Sequence, residues 1–246
     1  MNRSYASRCR HVVEFYGRDP QRSAENVARY LAEGLGGGGA ALVIAEATRR
    51  AAIVEELERL ADLALVGDRL VLLDDCEMFD KLTRDGRVDA ALANEVLCPL
   101  LRSLTAQFAS VRAYGEIVGT LWAHRAFGEA IALERIWNEI LTGEEVDLYC
   151  GYPIDVLGEE FQMPTACGVL AEHDCLLSTL DAGFDGAIRR AVFEVLGDPY
   201  GSGVTAEPSF KWLPTTLPRA EGMILRLRSA LPRYADEILA KAQTYA

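Results

Sequence analysis

VRAYGEIVGTLWAHRAFGEAIALERIWNEILTGEEVDLYCGYP, residues 111–153, is the stretch on which the fold turns. A short apolar, β-forming run carries Arg112, Tyr114 and Glu116, and helical sequence with Trp122 follows. A second helical stretch holds Glu134, Trp137 and Asn138, and the run VDLYCGY ends it before Pro153. Charges set into apolar runs are costly to bury without a partner. Alternation along a strand puts Arg112, Tyr114 and Glu116 on one face. Residues four apart on a strand stand roughly 13 Å apart, so Arg112 and Glu116 each need a partner of their own.

The same alternation of strand and helix extends outward. HVVEFY, residues 11–16, reads as a first strand. Ser23 is placed to cap a helix whose Val27, Leu31 and Leu35 form one buried stripe, and the glycines at 36–39 end it. AALVIAE is a continuous apolar run expected of a strand buried on both faces. Thr48 is placed to cap the next helix, with Ile53, Leu57 and Leu60 inside, and RLVLLDD reads as another buried strand. Helical pattern returns over 88–108, and the strand at 111–118 follows. The predicted fold is α/β, three layers (α/β/α) around a largely parallel sheet.

The tail reads differently. A helix near 185–196 precedes a Gly-, Pro- and Ser-rich loop, then a final helix over 219–246 interrupted at Pro232. Its apolar face (Met223, Leu227, Leu231, Ile238, Ala242) is expected to pack on the main domain or on a second copy of the chain. The expected division is a sensory domain at 1–178 and a helical extension at 179–246.

A formal charge of −12 and a pI near 4.8 argue against a nucleic-acid surface, which needs clustered cations. No apolar run is long enough for a membrane span, and the basic N-terminus lacks a secretory core, so a cytoplasmic location is expected. The six cysteines include no C-x-x-C pair and read as reduced, mostly buried thiols. His173 with Cys167 and Cys175 is a weak metal spacing, and no metal or cofactor is expected.

RAYGEIVGTLW, ALERIWNEI and LYCGYP, with HVVEFY, GLGGGGAALVIAEATRR and His173, together resemble the MEDS family of sensory domains. That family is named after methanogen and methylotroph proteins and a dichloromethane-responsive regulator. Its layout is similar to RecA-like ATPases of the KaiC type. The resemblance therefore implies a RecA-like sheet and a sensory role.

A conventional phosphate-binding loop is missing. YGRDPQRSAENV, before the first long helix, lacks the glycine spacing and the Lys-Ser/Thr pair. The only lysines are Lys81, Lys211 and Lys241. Arg18 or Arg22 remains to meet an anion at the helix N-terminus. GLGGGG follows a helix and precedes a strand, the reverse of a dinucleotide fingerprint.

The expected site is the carboxyl edge of the sheet, with Glu46, Arg112, Tyr114, Glu116, Glu134, Asn138, Tyr152 and His173 as candidate ligand contacts. Each has a structural alternative. Glu116 is either a ligand or acid/base group or a carboxylate holding an arginine or loop amides. Glu134 is expected at the border of an apolar stripe, pairing with Arg112 or Arg125, and Trp122 and Trp137 are core anchors. The favoured reading is a non-catalytic sensor for a small molecule or signalling protein. The alternative is an unorthodox nucleotide hydrolase or phosphotransferase using Glu46, Glu116 and His173.

Overall fold

Apolar strands without alternation fix the middle of the molecule, because only a strand covered on both faces tolerates them. In the computed structural model, which describes residues 9–17, 19–197 and 213–246, β1 (His11–Phe15) and β2 (Ala40–Ala45) are buried along their whole length. They join β3 (Leu70–Asp74), β6 (Val111–Gly115), β7 (Val146–Tyr152) and β8 (Cys175–Leu177) in one parallel sheet of order β3-β2-β6-β7-β1-β8.

Helices cover both faces. On one side α1 (Pro20–Gly36) and α2 (Ala47–Glu58) pack on Val12, Val43, Tyr114 and Tyr149. On the other lie α4 (Asp75–Leu82), α5 (Ala90–Thr105), α6 (Ile117–Ala123), α7 (Phe127–Gly143) and α8 (Met163–Leu170), against Val13, Leu42, Ala113 and Cys150. The short α3 (Leu63–Val66) precedes β3, and a hairpin of β4 (Thr83–Arg84) and β5 (Arg87–Val88) links α4 to α5. The fold is the three-layer α/β arrangement expected.

α9 (Phe184–Leu196), α10 (Arg219–Ala230) and α11 (Pro232–Gln243) complete the described chain, with the break at Pro232 as anticipated. Met223, Leu227, Ile238 and Ala242 join the same core as β7 and α8, so that apolar face is covered within the chain. Thr216 pairs with Cys175, extending β8 toward α10.

Several local expectations are corrected. α1 is capped by Asp19, whose carboxylate accepts from the Arg22 amide, and Ser23 is buried inside the helix. α2 starts before Thr48 and ends at Glu58, leaving Leu60 half exposed. β3 is an edge strand, and Leu72 reaches solvent. β6 stops at Gly115 rather than running to 118, because Glu116 turns to φ −115°, ψ −5° and opens α6. Cys9 and Cys175 meet across the β1–β8 pair, Cα atoms 6.0 Å apart, as a disulfide. Of the four free cysteines only Cys150 is buried. No helix among the described residues is long and apolar enough to cross a membrane.

Candidate functional site

The crossovers from β1 and β7 leave in opposite directions. β1 passes through α1 on one face toward β2, and β7 passes through α8 on the other toward β8. Such a reversal leaves a crevice at the carboxyl ends of the two strands, where open α/β sheets bind ligands. A cleft of about 360 Å³ lies there. Phe15, Val156, Leu157 and Leu180 give it apolar walls, while Tyr16, Asp19, Arg22, Asp155 and Thr179 supply polar groups. Gly17, at φ +55°, lets the β1–α1 turn approach Asp155 closely. Arg22 reaches Asp181 at 3.2 Å beside the cleft, and Thr179 Oγ1 donates to the Phe15 carbonyl at 3.1 Å. Arg18 lies outside the described residues.

Tyr16 links this cleft to a buried charge network on the α1–α2 face. Its hydroxyl donates to Glu116 Oε1 at 3.2 Å, and Arg49 Nε lies 3.3 Å from the same oxygen. Arg49, from the first turns of α2, also donates to the Pro20 carbonyl, to Ser23 Oγ and to the Tyr114 hydroxyl at 3.3 Å. Ser23 in turn donates to Glu14, which accepts from Asn26 Nδ2 at 2.6 Å. Burial pushes the Glu116 carboxyl up, and Arg49 and Tyr16 oppose that shift. Glu116 Oε2 is buried without a hydrogen-bond partner among the described residues.

A second polar group occupies the opposite face, between β1, β7, α7 and the end of α8. Glu134 of α7 is fully buried, its Oε1 accepting from the Tyr152 hydroxyl at 2.7 Å. Its oxygens lie 3.2 Å from His11 Nε2 and 3.4 Å from His173 Nε2. Cys150 Sγ is 3.4 Å from both Glu134 Oε2 and His11 Nε2. Burial opposes charge on Glu134, but His173 and His11 outweigh it and hold the carboxyl well below the usual carboxylate range. For His11, burial is likewise outweighed by Glu134, so its imidazole sits above its ordinary value. The Asp174 carboxylate accepts from the Arg10 and His11 amides at 2.9 Å each, fixing the start of β1. Donor atoms of His11, Glu134, Cys150 and His173 all lie within 4.8 Å of one another, a grouping able to hold a metal ion.

A family model for the methanogen/methylotroph, DcmR sensory domain (MEDS) matches residues 10–167. The chain belongs to the MEDS family. Membership carries a sensory or signalling role. No curated protein and no solved structure gives a match.

In this MEDS domain the sequence candidates divide among separate places. Tyr114 and Glu116 join Arg49 behind the cleft. Glu134, Tyr152 and His173 converge on the opposite face, and Asn138 touches the same group through His11. Glu134 is fully buried rather than at a stripe border, and its partners are the histidines, not Arg112 or Arg125. Arg112 points away from both centres, pairing with Glu33 at 3.0 Å and donating to the Tyr30 carbonyl at 2.6 Å. Glu46 is exposed and accepts from Thr48. His173, just beyond the matched residues, turns toward Glu134, and Cys175 is engaged with Cys9. Sequence reasoning missed Tyr16, Arg49, His11 and Cys150. The one visible cue was a histidine and a cysteine inside otherwise apolar strands.

Proposed function

We propose that this MEDS chain is a non-catalytic sensor that binds a small molecule in the β1–β7 cleft and passes its occupancy to α10 and α11. The observation that carries the reading is a single hydrogen bond. Arg228 of α10 donates through Nη2 to the carbonyl oxygen of Leu157, a cleft wall residue, at 2.8 Å, while its Nη1 pairs with Asp236 of α11 at 2.9 Å. A ligand shifts an equilibrium only through differential affinity for two states, and this link lets the Leu157 wall and the C-terminal helices share one. The cleft is at the small end of ligand-site volumes, with apolar walls and a few polar groups. The β1–α1 turn, with no lysine, suits a RecA-like domain that has given up phosphate chemistry. A signalling protein or a second copy of the chain would read the helices.

A thermal-shift panel tests this. It contains one-carbon and halogenated compounds alongside ATP, ADP, GTP and cyclic dinucleotides with magnesium. A ligand at a hundred times its Kd adds about 2.7 kcal/mol of stability. A small compound is expected to raise Tm, and Leu180→Trp, which fills the cleft, is expected to abolish the rise. A rise that survives Leu180→Trp, or none from any compound, contradicts the reading. A nucleotide-induced rise lost in Glu116→Ala would favour the hydrolase or phosphotransferase instead.

A further inference from the structure

The grouping of His11, Glu134, Cys150 and His173 is distinct from the cleft, and its hydrogen bonds restrict what can fill its centre. His173 Nδ1 lies 2.7 Å from the Val169 carbonyl oxygen, which can only accept, so that nitrogen carries a proton. Asn138 Nδ2 is occupied by the Glu172 carbonyl at 2.9 Å and the Glu172 carboxylate at 3.1 Å. The Asn138 oxygen therefore faces His11 Nδ1, 2.8 Å away, and that nitrogen is a donor too. With both outer nitrogens protonated, a neutral ring has only a lone pair on Nε2. Both Nε2 atoms point at the Glu134 carboxylate, lone pair toward lone pair. His173 Nε2, fully buried, has no hydrogen-bond partner among the described residues.

Something positive belongs between these atoms. One proton, on His11 or offered by the Cys150 thiol, answers one Nε2 and leaves the His173 Nε2 lone pair facing the carboxylate. A second would make two imidazolium ions against one carboxylate, a net charge of +1 held away from water, which is costly. One divalent metal ion leaves both imidazoles neutral and is balanced by the Glu134 carboxylate and a Cys150 thiolate, for a net charge of zero. His11 Nε2, Glu134 Oε2 and Cys150 Sγ form a triangle with sides of 3.2–3.4 Å, and His173 Nε2 lies 3.4 Å from the second Glu134 oxygen. The four donors fall within 4.8 Å of one another, close to the size of a small tetrahedron. Bond lengths of about 2.0–2.3 Å to zinc through nitrogen, oxygen and sulfur generate edges of that size. The outer hydrogen bonds from His173 to Val169, from His11 to Asn138 and from Tyr152 to Glu134 are of the kind that orient metal ligands.

We infer that His11, Glu134, Cys150 and His173 form a closed, tetrahedral site for a divalent transition metal of the zinc type. Binding replaces the Cys150 S–H bond with an S–metal bond and releases that proton to solvent. The metal ties β1, β7, α7 and the segment after α8 together at one point. With every position taken by protein, the site is structural and leaves no place for substrate.

Cobalt(II) is the probe. Metal-free full-length protein, prepared with a chelator under non-reducing conditions, is titrated with cobalt. One equivalent is expected to give the intense visible bands of tetrahedral cobalt and a thiolate charge-transfer band in the near ultraviolet. The bands should persist in the combined Cys76→Ser, Cys98→Ser and Cys167→Ser variant, which keeps Cys150 as its only free thiol and leaves the site untouched. Cys150→Ser should remove the charge-transfer band. If Cys150→Ser does not fold, the triple variant decides alone. Weak octahedral bands, a charge-transfer band lost in the triple variant, or folded protein that takes up no cobalt would overturn the inference. The Asp74, Asp75 and Cys76 group, in which Cys76 is exposed and which could capture metal adventitiously, is removed as a thiolate source by the same variant.

Discussion

Arg228 Nη2 and the Leu157 carbonyl oxygen, 2.8 Å apart, join the C-terminal helices to the wall of the cleft. The Arg228 side chain is only 8% exposed, so its guanidinium is committed to this contact and to Asp236. Arg228→Ala is expected to leave the Leu157 carbonyl without its donor and to cost about 1–3 kcal/mol. Chemical denaturation measures that loss. The cleft itself keeps its lining, so a small molecule that stabilises the wild type should still raise the variant's Tm.

Arg49 and Glu116 pair with side chains 6% and 7% exposed. Breaking such a pair from one side strands the other charge, which costs about 3–5 kcal/mol. Arg49→Met is therefore expected to destabilise strongly, and Arg49→Met with Glu116→Gln to recover much of the loss. Urea unfolding of both variants checks this. Equal stability of the single and double variants would mean Glu116 is not held by Arg49.

Glu14 gives the chain a pH dependence of stability. Burial pushes its carboxyl up, against hydrogen bonds from Ser23 and Asn26 and the charge of Arg49. A carboxyl with a raised folded value binds its proton more tightly in the folded state. Its contribution is fully present below the unfolded value of about 4.3 and is lost as pH rises through the folded value. Glu14→Gln, neutral throughout, should remove that part of the slope. The difference in unfolding free energy between wild type and variant, followed from acid to neutral pH, measures it.

Gly119 lets α6 rest on β7, since a Cβ there would overlap the Gly151 carbonyl oxygen. Gly119→Ala is expected to cost about 1–3 kcal/mol through forced displacement. Gly128, in the first turn of α7, has open space around its Cβ position. Gly128→Ala should instead stabilise by about 0.4–1 kcal/mol by restricting the unfolded chain. Thermal or urea unfolding of the two variants separates the effects.

The sheet was legible because burial on both faces leaves an unmistakable apolar run. AALVIA and VDLYCGY became β2 and β7, and Pro232 divided the final helix where proline must. Partnerships were not legible. His11 meets Glu134 and Cys150 through strand pairing and helix packing across long sequence separations, and no periodicity marks such a meeting. Arg112 and Glu116 did need separate partners, as strand rise requires, but only the fold supplied Glu33 and Arg49. The edge position of β3 and the early stop of β6 depend on strand order and on a single turned residue, Glu116.

The most direct test of the sensor is backbone hydrogen exchange on the full chain, with and without a compound that raises its Tm. Slower exchange is predicted in the cleft segment at 155–157 and also in α10 and α11, with the helical part of the response lost in Arg228→Ala. Protection confined to the cleft, with α10 and α11 unchanged in the wild type, would contradict the account.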